Sequence, residues 1–134
     1  MFEVRVETKF CAAHFLKDYK GKCENLHGHN YKVFVHVKGS TLDEGGMLLD
    51  FTDLKKAVKS VCDTMDHTNL NDNEFFKQNP SAERIALYIY KCLLEKLPFL
   101  NQENSPSETS QRKIFISAVD VFETDTNRAR YIPD

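Results

Sequence analysis

Three of the five histidines and one of the four cysteines stand close together: His14 closes "FCAAH", and Cys23, His27 and His29 lie within "CENLHGHN". Imidazole nitrogens and a thiolate are ligands for zinc and its neighbours, and three histidines leave a tetrahedral metal one open position for water or substrate. Zinc is the expected ion. Three satisfied core histidines are the competing reading. Cys23 has two readings with opposite consequences. As a fourth ligand it closes a structural site; left free beside the metal it is a nucleophile or base. Spacing leaves both open. "MDHTNLND" adds Asp66 next to His67, and a carboxylate-oriented histidine is a partner for an activated cysteine, although neighbours in a polar loop are ordinarily just solvated. Glu123, at the end of an apolar run, is either a strand-end charge in water or an anchor for a ligand with paired N–H groups. Lys17, Lys20 and Lys22 precede the thiol and could meet a phosphate or simply face solvent.

These side chains need elements to hold them. Phe2, Val4, Val6, Thr8, Phe10, Ala12 and His14 share one parity against Glu3, Arg5, Glu7 and Lys9, the period of a half-buried strand. Tyr31, Val33, Val35 and Val37 repeat it, and counting back puts His27 and His29 on the Tyr31 side, with Gly28 leaving the opposite side free of bulk. All three histidines thus face one interior. After the turn-like "DEGG", Leu54, Val58, Val61, Cys62 and Met65 recur at helical spacing behind Asp50 or Thr52 as cap. A second helix, capped by Ser81, carries Ile85, Ile89, Cys92 and Leu93 and ends at "KLPF". The stretch 101–111 reads as a hydrophilic linker. "KIFISAVDVFETD" is a strand with apolar residues of both parities, and "RARYI" suits a short last strand. The order ββααββ predicts an α+β domain over residues 1–134: a four-stranded antiparallel sheet with both helices on one face, the other covered by self-association or left to solvent.

Composition narrows the partners. With 18 basic and 20 acidic residues, a net charge of −2 and 41% hydrophobic residues, the chain has no field to attract nucleic acid and no span for a membrane. Its start, "MFEVRVETKF", lacks the basic and apolar regions of a secretion signal, so a cytoplasmic location with reduced thiols is expected. Cys11, Cys62 and Cys92 read as structural, as does His36, which falls on the strand face away from the other histidines.

Taken in order, "FCAAH", "CENLHGHNYKV", "DFTDLK", "MDHTNLND" and "FETDTN" resemble the 6-pyruvoyl-tetrahydropterin synthase family over nearly the whole chain. That family includes a bacterial branch, the 6-carboxy-tetrahydropterin synthases of the queuosine pathway. The resemblance implies a tunnelling fold whose monomers form trimeric barrels stacked into a homohexamer, with active sites between subunits. It implies zinc held by His14, His27 and His29, Cys23 as general base, Asp66 with His67 as a proton relay, and Glu123 anchoring the pterin ring. The implied substrate is 7,8-dihydroneopterin triphosphate. The three residues between Cys23 and His27 look like the carboxy branch, which releases acetaldehyde and triphosphate. "NYKV" and "ETDTN" look like the pyruvoyl branch, which eliminates triphosphate only. The cysteine spacing sets the base relative to the metal and favours the carboxy product. Arg128 and Arg130 fit neither branch's pattern. The alternative of another class is a non-catalytic module that binds zinc or a pterin.

Overall fold

Alternating side chains make β1 (Phe2–His14) and β2 (His27–Gly39) a long antiparallel pair of thirteen residues each, in register from Phe2 opposite Gly39 to His14 opposite His27, with both faces of β2 buried from Val33 to Val37. The computed structural model describes residues 1–101 and 113–134. Chain order is completed by α1 (Phe51–Asp63), β3 (Thr68–Asn69), α2 (Ala82–Lys96), β4 (Ile114–Phe122) and β5 (Arg128–Tyr131). The sheet runs β3-β1-β2-β4-β5, with β3 parallel to β1 and every other pairing antiparallel. The expected ββααββ order and the two helices are therefore present. The sheet has five strands, not four. The addition, β3, is two residues long and lies inside what reads as a polar loop, too short for any periodicity to announce it.

Both helices begin where side chains cap them. Asp50 accepts from the Thr52 N–H at 2.8 Å, and Ser81 accepts from the Arg84 N–H at 3.3 Å, satisfying otherwise unpaired first-turn donors. Leu54, Val58 and Val61 of α1 and Ile85, Ile89 and Leu93 of α2 are fully buried, α1 packing on β1 and α2 on β4 and β5. Each such side chain contributes about 1.5–3 kcal/mol on leaving water. The sheet supplies Phe10, Tyr31, Val33, Val35 and Val37 to the same core.

Apolar residues of both parities in β4 have a local cause. The ladder with β2 slips between His36 and Val37, so Ala118 pairs with His36 while Ile116 pairs with Val37. A bulge reverses the parity. Ile114 and Ile116 before it, and Val119 and Val121 after it, all reach the helix side. At the far end of β2, Gly39 is needed for close approach: a Cβ there would lie 2.7 Å from Ile114 Cγ2 and 2.8 Å from Leu48 Cδ1.

The sheet face without helices carries a charged network. Asp120, 3% exposed, accepts from Arg130 Nε at 2.6 Å, Arg130 Nη2 at 3.0 Å and His36 Nε2 at 2.7 Å. Glu3 meets the other His36 nitrogen at 3.2 Å and Lys38 at 3.5 Å, and Arg128 lies 3.8 Å from Asp120. This places His36 on the structural side, as its parity says, and gives Arg130 a partner. Cys62 is buried, its thiol pushed up to about 12 by burial. Cys92 is half-buried. Cys11 corrects the structural reading: it is exposed, opposite Phe10 and Ala12, with its thiol donating to Asn30 Oδ1 at 3.0 Å. The linker read at 101–111 falls, but for Asn101, outside the described residues. Among those residues, no helix is long and apolar enough to cross a membrane.

Candidate metal and active site

The β1–β2 register decides where the histidines meet. His14 sits directly opposite His27, and Ala12 opposite His29, so three imidazoles rise from one corner of the sheet. A slip of one residue would turn the β2 pair to the other face. The ring centroids lie 4.7 to 5.0 Å apart, and one ligating nitrogen from each histidine falls within 4.8 Å of the others.

Backbone carbonyls orient two of the rings. His14 Nδ1 donates to Pro80 O at 2.9 Å and His27 Nδ1 to Asn25 O at 2.7 Å, which leaves both Nε2 lone pairs facing inward, 3.1 Å from each other. Metal-bound histidines are characteristically held by such outer hydrogen bonds. Glu123 adds a carboxylate. Its Oε1 lies 3.2 Å from His14 Nε2 and 3.5 Å from His29 Nε2. It follows the Lys32–Phe122 pair by one residue, on the parity of Val121, and the β4–β5 turn is closed by its N–H donating to Asn127 O at 3.1 Å. It is therefore no strand-end charge directed into water. Inward lone pairs and a carboxylate converging on one point form a set that could hold a cation. His29 Nε2 is buried without a hydrogen-bond partner among the described residues, and burial lowers its basicity despite the nearby Glu123. The donor set suits a divalent ion that accepts imidazole nitrogen.

Tyr31 lies beneath. Its ring stacks on Phe10 at 4.8 Å and stands edge-on to His14 and His29 at 5.9 and 5.5 Å. Burial, with Glu123 and Glu24 nearby, raises its pKa far above that of an ordinary phenol, so the hydroxyl keeps its proton.

Asp66 and His67 form a separate pair at the free side of β1. Asp66 Oδ1 accepts the Cys11 N–H at 2.9 Å, the His67 N–H donates to Cys11 O at 2.6 Å, and β3 then pairs with Ala12 and Ala13. The Cys11 N–H, aided by His67, holds the Asp66 carboxyl below its usual value. Asp66 Oδ2 lies 3.0 Å from His67 Nδ1, which orients a ring that is 81% exposed. The His67 backbone is left-handed, φ 57°, a conformation non-glycine residues adopt at a cost. His67 and His29 line the same cavity of about 490 Å³, with Cys11, Gly28, Asn30 and Thr68. Gly28 does open on that side, although a Cβ there would meet only Ala12 O at 3.7 Å.

Cys23 is exposed on the β1–β2 connection, and among the described residues no hydrogen bond or ion pair joins it to the histidines, Asp66 or His67. Its segment is nevertheless built. Glu24 exchanges bonds with Leu16, the Glu24 N–H to Leu16 O at 2.9 Å and the Leu16 N–H to Glu24 Oε1 at 3.2 Å. Tyr19 and Lys22 close a tight turn across left-handed Lys20 and Gly21, the geometry of a hairpin. Lys17 and Asp18 tie the loop to Gln78 and Asn79, and buried Asn71 pairs with both backbone groups of Phe15 at 2.9 Å. Sequence reasoning passed over Asn71, Asn25 and Pro80. Asn71 looks like any polar loop residue, and a backbone carbonyl leaves no signature in side-chain type.

The comparisons bear on this geometry as a whole. The family described as 6-pyruvoyl tetrahydropterin synthase matches residues 3–134. The 6-carboxy-5,6,7,8-tetrahydropterin synthase of Haemophilus influenzae is 34% identical over 98% of this chain and 99% of its own. That of Bacillus subtilis is 38% identical over 79% of this chain and 73% of its own. Among solved structures, 6-pyruvoyl tetrahydropterin synthase of Caenorhabditis elegans superposes with a TM-score of 0.77 at 31% identity, covering 99% of this chain and 96% of the other. The five-stranded sheet, its two helices and the clustered histidines thus belong to a chain of the 6-pyruvoyl tetrahydropterin synthase family, lyases of pterin biosynthesis.

Proposed function

We propose that the chain is a zinc-dependent 6-carboxy-5,6,7,8-tetrahydropterin synthase, converting 7,8-dihydroneopterin triphosphate with release of acetaldehyde and triphosphate. The observation that carries the proposal is the convergence of the His14, His27 and His29 nitrogens within 4.8 Å beside the Glu123 carboxylate. His14, His27 and His29 hold the metal. When bound, it supplies Lewis acidity to the substrate side chain, making the adjacent C–H easier to ionise. Cys23 takes that proton as general base, and its exposure leaves it open to substrate. Asp66 keeps the His67 ring oriented for proton relay, and the exposed ring suits service to a Cys23 thiol on an adjacent subunit. Glu123 accepts the paired N–H groups of the pterin ring. The assembly that fits this is a hexamer, a dimer of trimers, working in the cytoplasm. The short Cys23–His27 spacing and the H. influenzae relative, matched along its full length, support the carboxy product over the pyruvoyl one.

The test is to load the protein with zinc, add dihydroneopterin triphosphate and identify the pterin and any acetaldehyde by mass spectrometry. A 6-carboxy product is expected, and a pyruvoyl product would reassign the branch. Cys23→Ala should keep its zinc and its fold yet lose turnover by about 10²-fold or more, the scale of a removed general base. Loss of metal together with fold in that variant would instead make Cys23 a ligand and the protein a zinc-stabilised module.

A further inference from the structure

The β1–β2 connection carries three exposed lysines, Lys17, Lys20 and Lys22, just before Cys23. Among the described residues Lys38 and Lys59 are ion-paired, and no ion pair joins these three to a carboxylate. The acids of the same loop are occupied elsewhere. Asp18 Oδ2 accepts from Asn79 Nδ2 at 3.0 Å, while Glu24 Oε1 accepts the Leu16 N–H at 3.2 Å and lies 4.0 Å from His27 Nε2. The loop backbone is pinned as well. Tyr19 and Lys22 exchange backbone bonds at 2.8 and 2.9 Å, and the Lys17 N–H donates to Gln78 O at 3.1 Å. Lys20 Nζ stands 5.3 Å from the centre of the Tyr19 ring. Three like charges held on one short turn create a local positive potential that an anion would relieve.

The order of groups across the site says which anion. Glu123 contacts His14 and His29 at 3.2 and 3.5 Å, whereas Glu24 contacts His27, and Glu24 belongs to the lysine-bearing loop. A carboxylate, three histidines and then three cations therefore follow one another. A pterin whose ring meets Glu123 and whose side chain lies at the histidines carries its triphosphate at the far end of that side chain. The far end lies toward the loop.

We propose that Lys17, Lys20 and Lys22 bind the triphosphate of the substrate. The inference rests on the pterin reading above and adds a specificity to it: the loop selects the phosphorylated pterin over the unphosphorylated one. The test uses zinc-loaded protein carrying Cys23→Ala, so that substrate binds without turning over. Calorimetric titrations with 7,8-dihydroneopterin triphosphate and with 7,8-dihydroneopterin are compared in three forms of that protein. One has no further change, one adds Lys17→Gln, Lys20→Gln and Lys22→Gln, and a control adds Lys55→Gln, Lys56→Gln and Lys96→Gln. The control removes the same charge from exposed positions on α1 and α2.

The loop variant should bind the triphosphate about thirtyfold more weakly, the loss of three exposed ion pairs of ordinary strength, with a shallower dependence on salt. Its affinity for dihydroneopterin should stay within about twofold, and its melting temperature within about 2 °C, as for surface substitutions in general. The control should hold the triphosphate within about threefold of the parent. Unchanged triphosphate affinity in the loop variant would overturn the inference and leave the pterin reading standing. An equal loss in the control would overturn it too, by showing that net charge alone attracts the ligand. So would an equal loss of dihydroneopterin in the loop variant, which would make the loop a support for the pterin and not a phosphate site. A parent that takes zinc but neither compound would bring down the pterin reading and this inference together.

Discussion

Replacing Asp120 by asparagine keeps the shape of the side chain and removes the charge on which the helix-free sheet face is organised. The carboxylate is 3% exposed and accepts three hydrogen bonds, two from Arg130 at 2.6 and 3.0 Å and one from His36 at 2.7 Å. In Asp120→Asn one accepting oxygen becomes an N–H pair that must face a donor. Breaking a buried ion pair costs on the order of 3–5 kcal/mol, and the half-exposed Arg130 can recover part of that from water, so about 3 kcal/mol is expected. At roughly 4 °C per kcal/mol for a chain of this size, the melting temperature should fall by about 12 °C at pH 7. The pH dependence adds a second signature. Burial works against the Asp120 anion, but the hydrogen bonds from Arg130 and His36 outweigh it and hold the carboxyl below its usual value. Hydrogen bonding to His36 does the same for Glu3. A lowered folded-state value means that the stabilisation is complete above the unfolded value of about 3.9 and is lost as pH falls through the folded one. The gap between wild type and Asp120→Asn should therefore be widest near neutrality and close below about pH 4. Thermal melts by circular dichroism from pH 3 to 7 test both. A gap under about 3 °C at pH 7, or one that persists unchanged into acid, would refute the reasoning.

Two further outcomes can be checked independently. Glu123→Gln should weaken binding of dihydroneopterin by about 2 kcal/mol, roughly thirtyfold by titration calorimetry, since a charge-assisted pair becomes a mismatched one; unchanged affinity would remove Glu123 from pterin recognition. Gly39→Ala should destabilise the fold by about 1–3 kcal/mol in urea unfolding, because its Cβ would sit 2.7 Å from Ile114 and 3.0 Å from the Lys113 carbonyl, and backbone cannot step aside as a flexible side chain can.

Much of the site was legible because it is written in strand parity. His14, His27 and His29 share a face with Phe10 and Tyr31 whatever the rest of the chain does, since alternate residues of a strand point the same way. Helix spacing placed Leu54, Val58, Ile85 and Ile89 inward, and Asp50 and Ser81 announced the helix starts. Cys11 shows the limit of such reading. Its thiol lies near an apolar stripe in sequence but on the opposite face in space, beside Asn30 and the Asp66–His67 pair.

What local pattern determined, then, is which side chains each element offers to which face. These preferences arise from neighbours within about four residues and survive without tertiary contacts. Only the folded chain decided which faces meet. The register sets His14 against His27, and the β2–β4 slip at His36 carries Val119, Val121 and then Glu123 to the helix side, where Glu123 joins the histidines from more than ninety residues away. Pro80 turns the His14 ring from sixty-six residues away, and Arg130 finds Asp120 across the last strand pair. Each of these is a long-range contact between groups whose partners share no local pattern with them, and it forms because a buried polar atom must find a partner wherever the packed core brings one within reach.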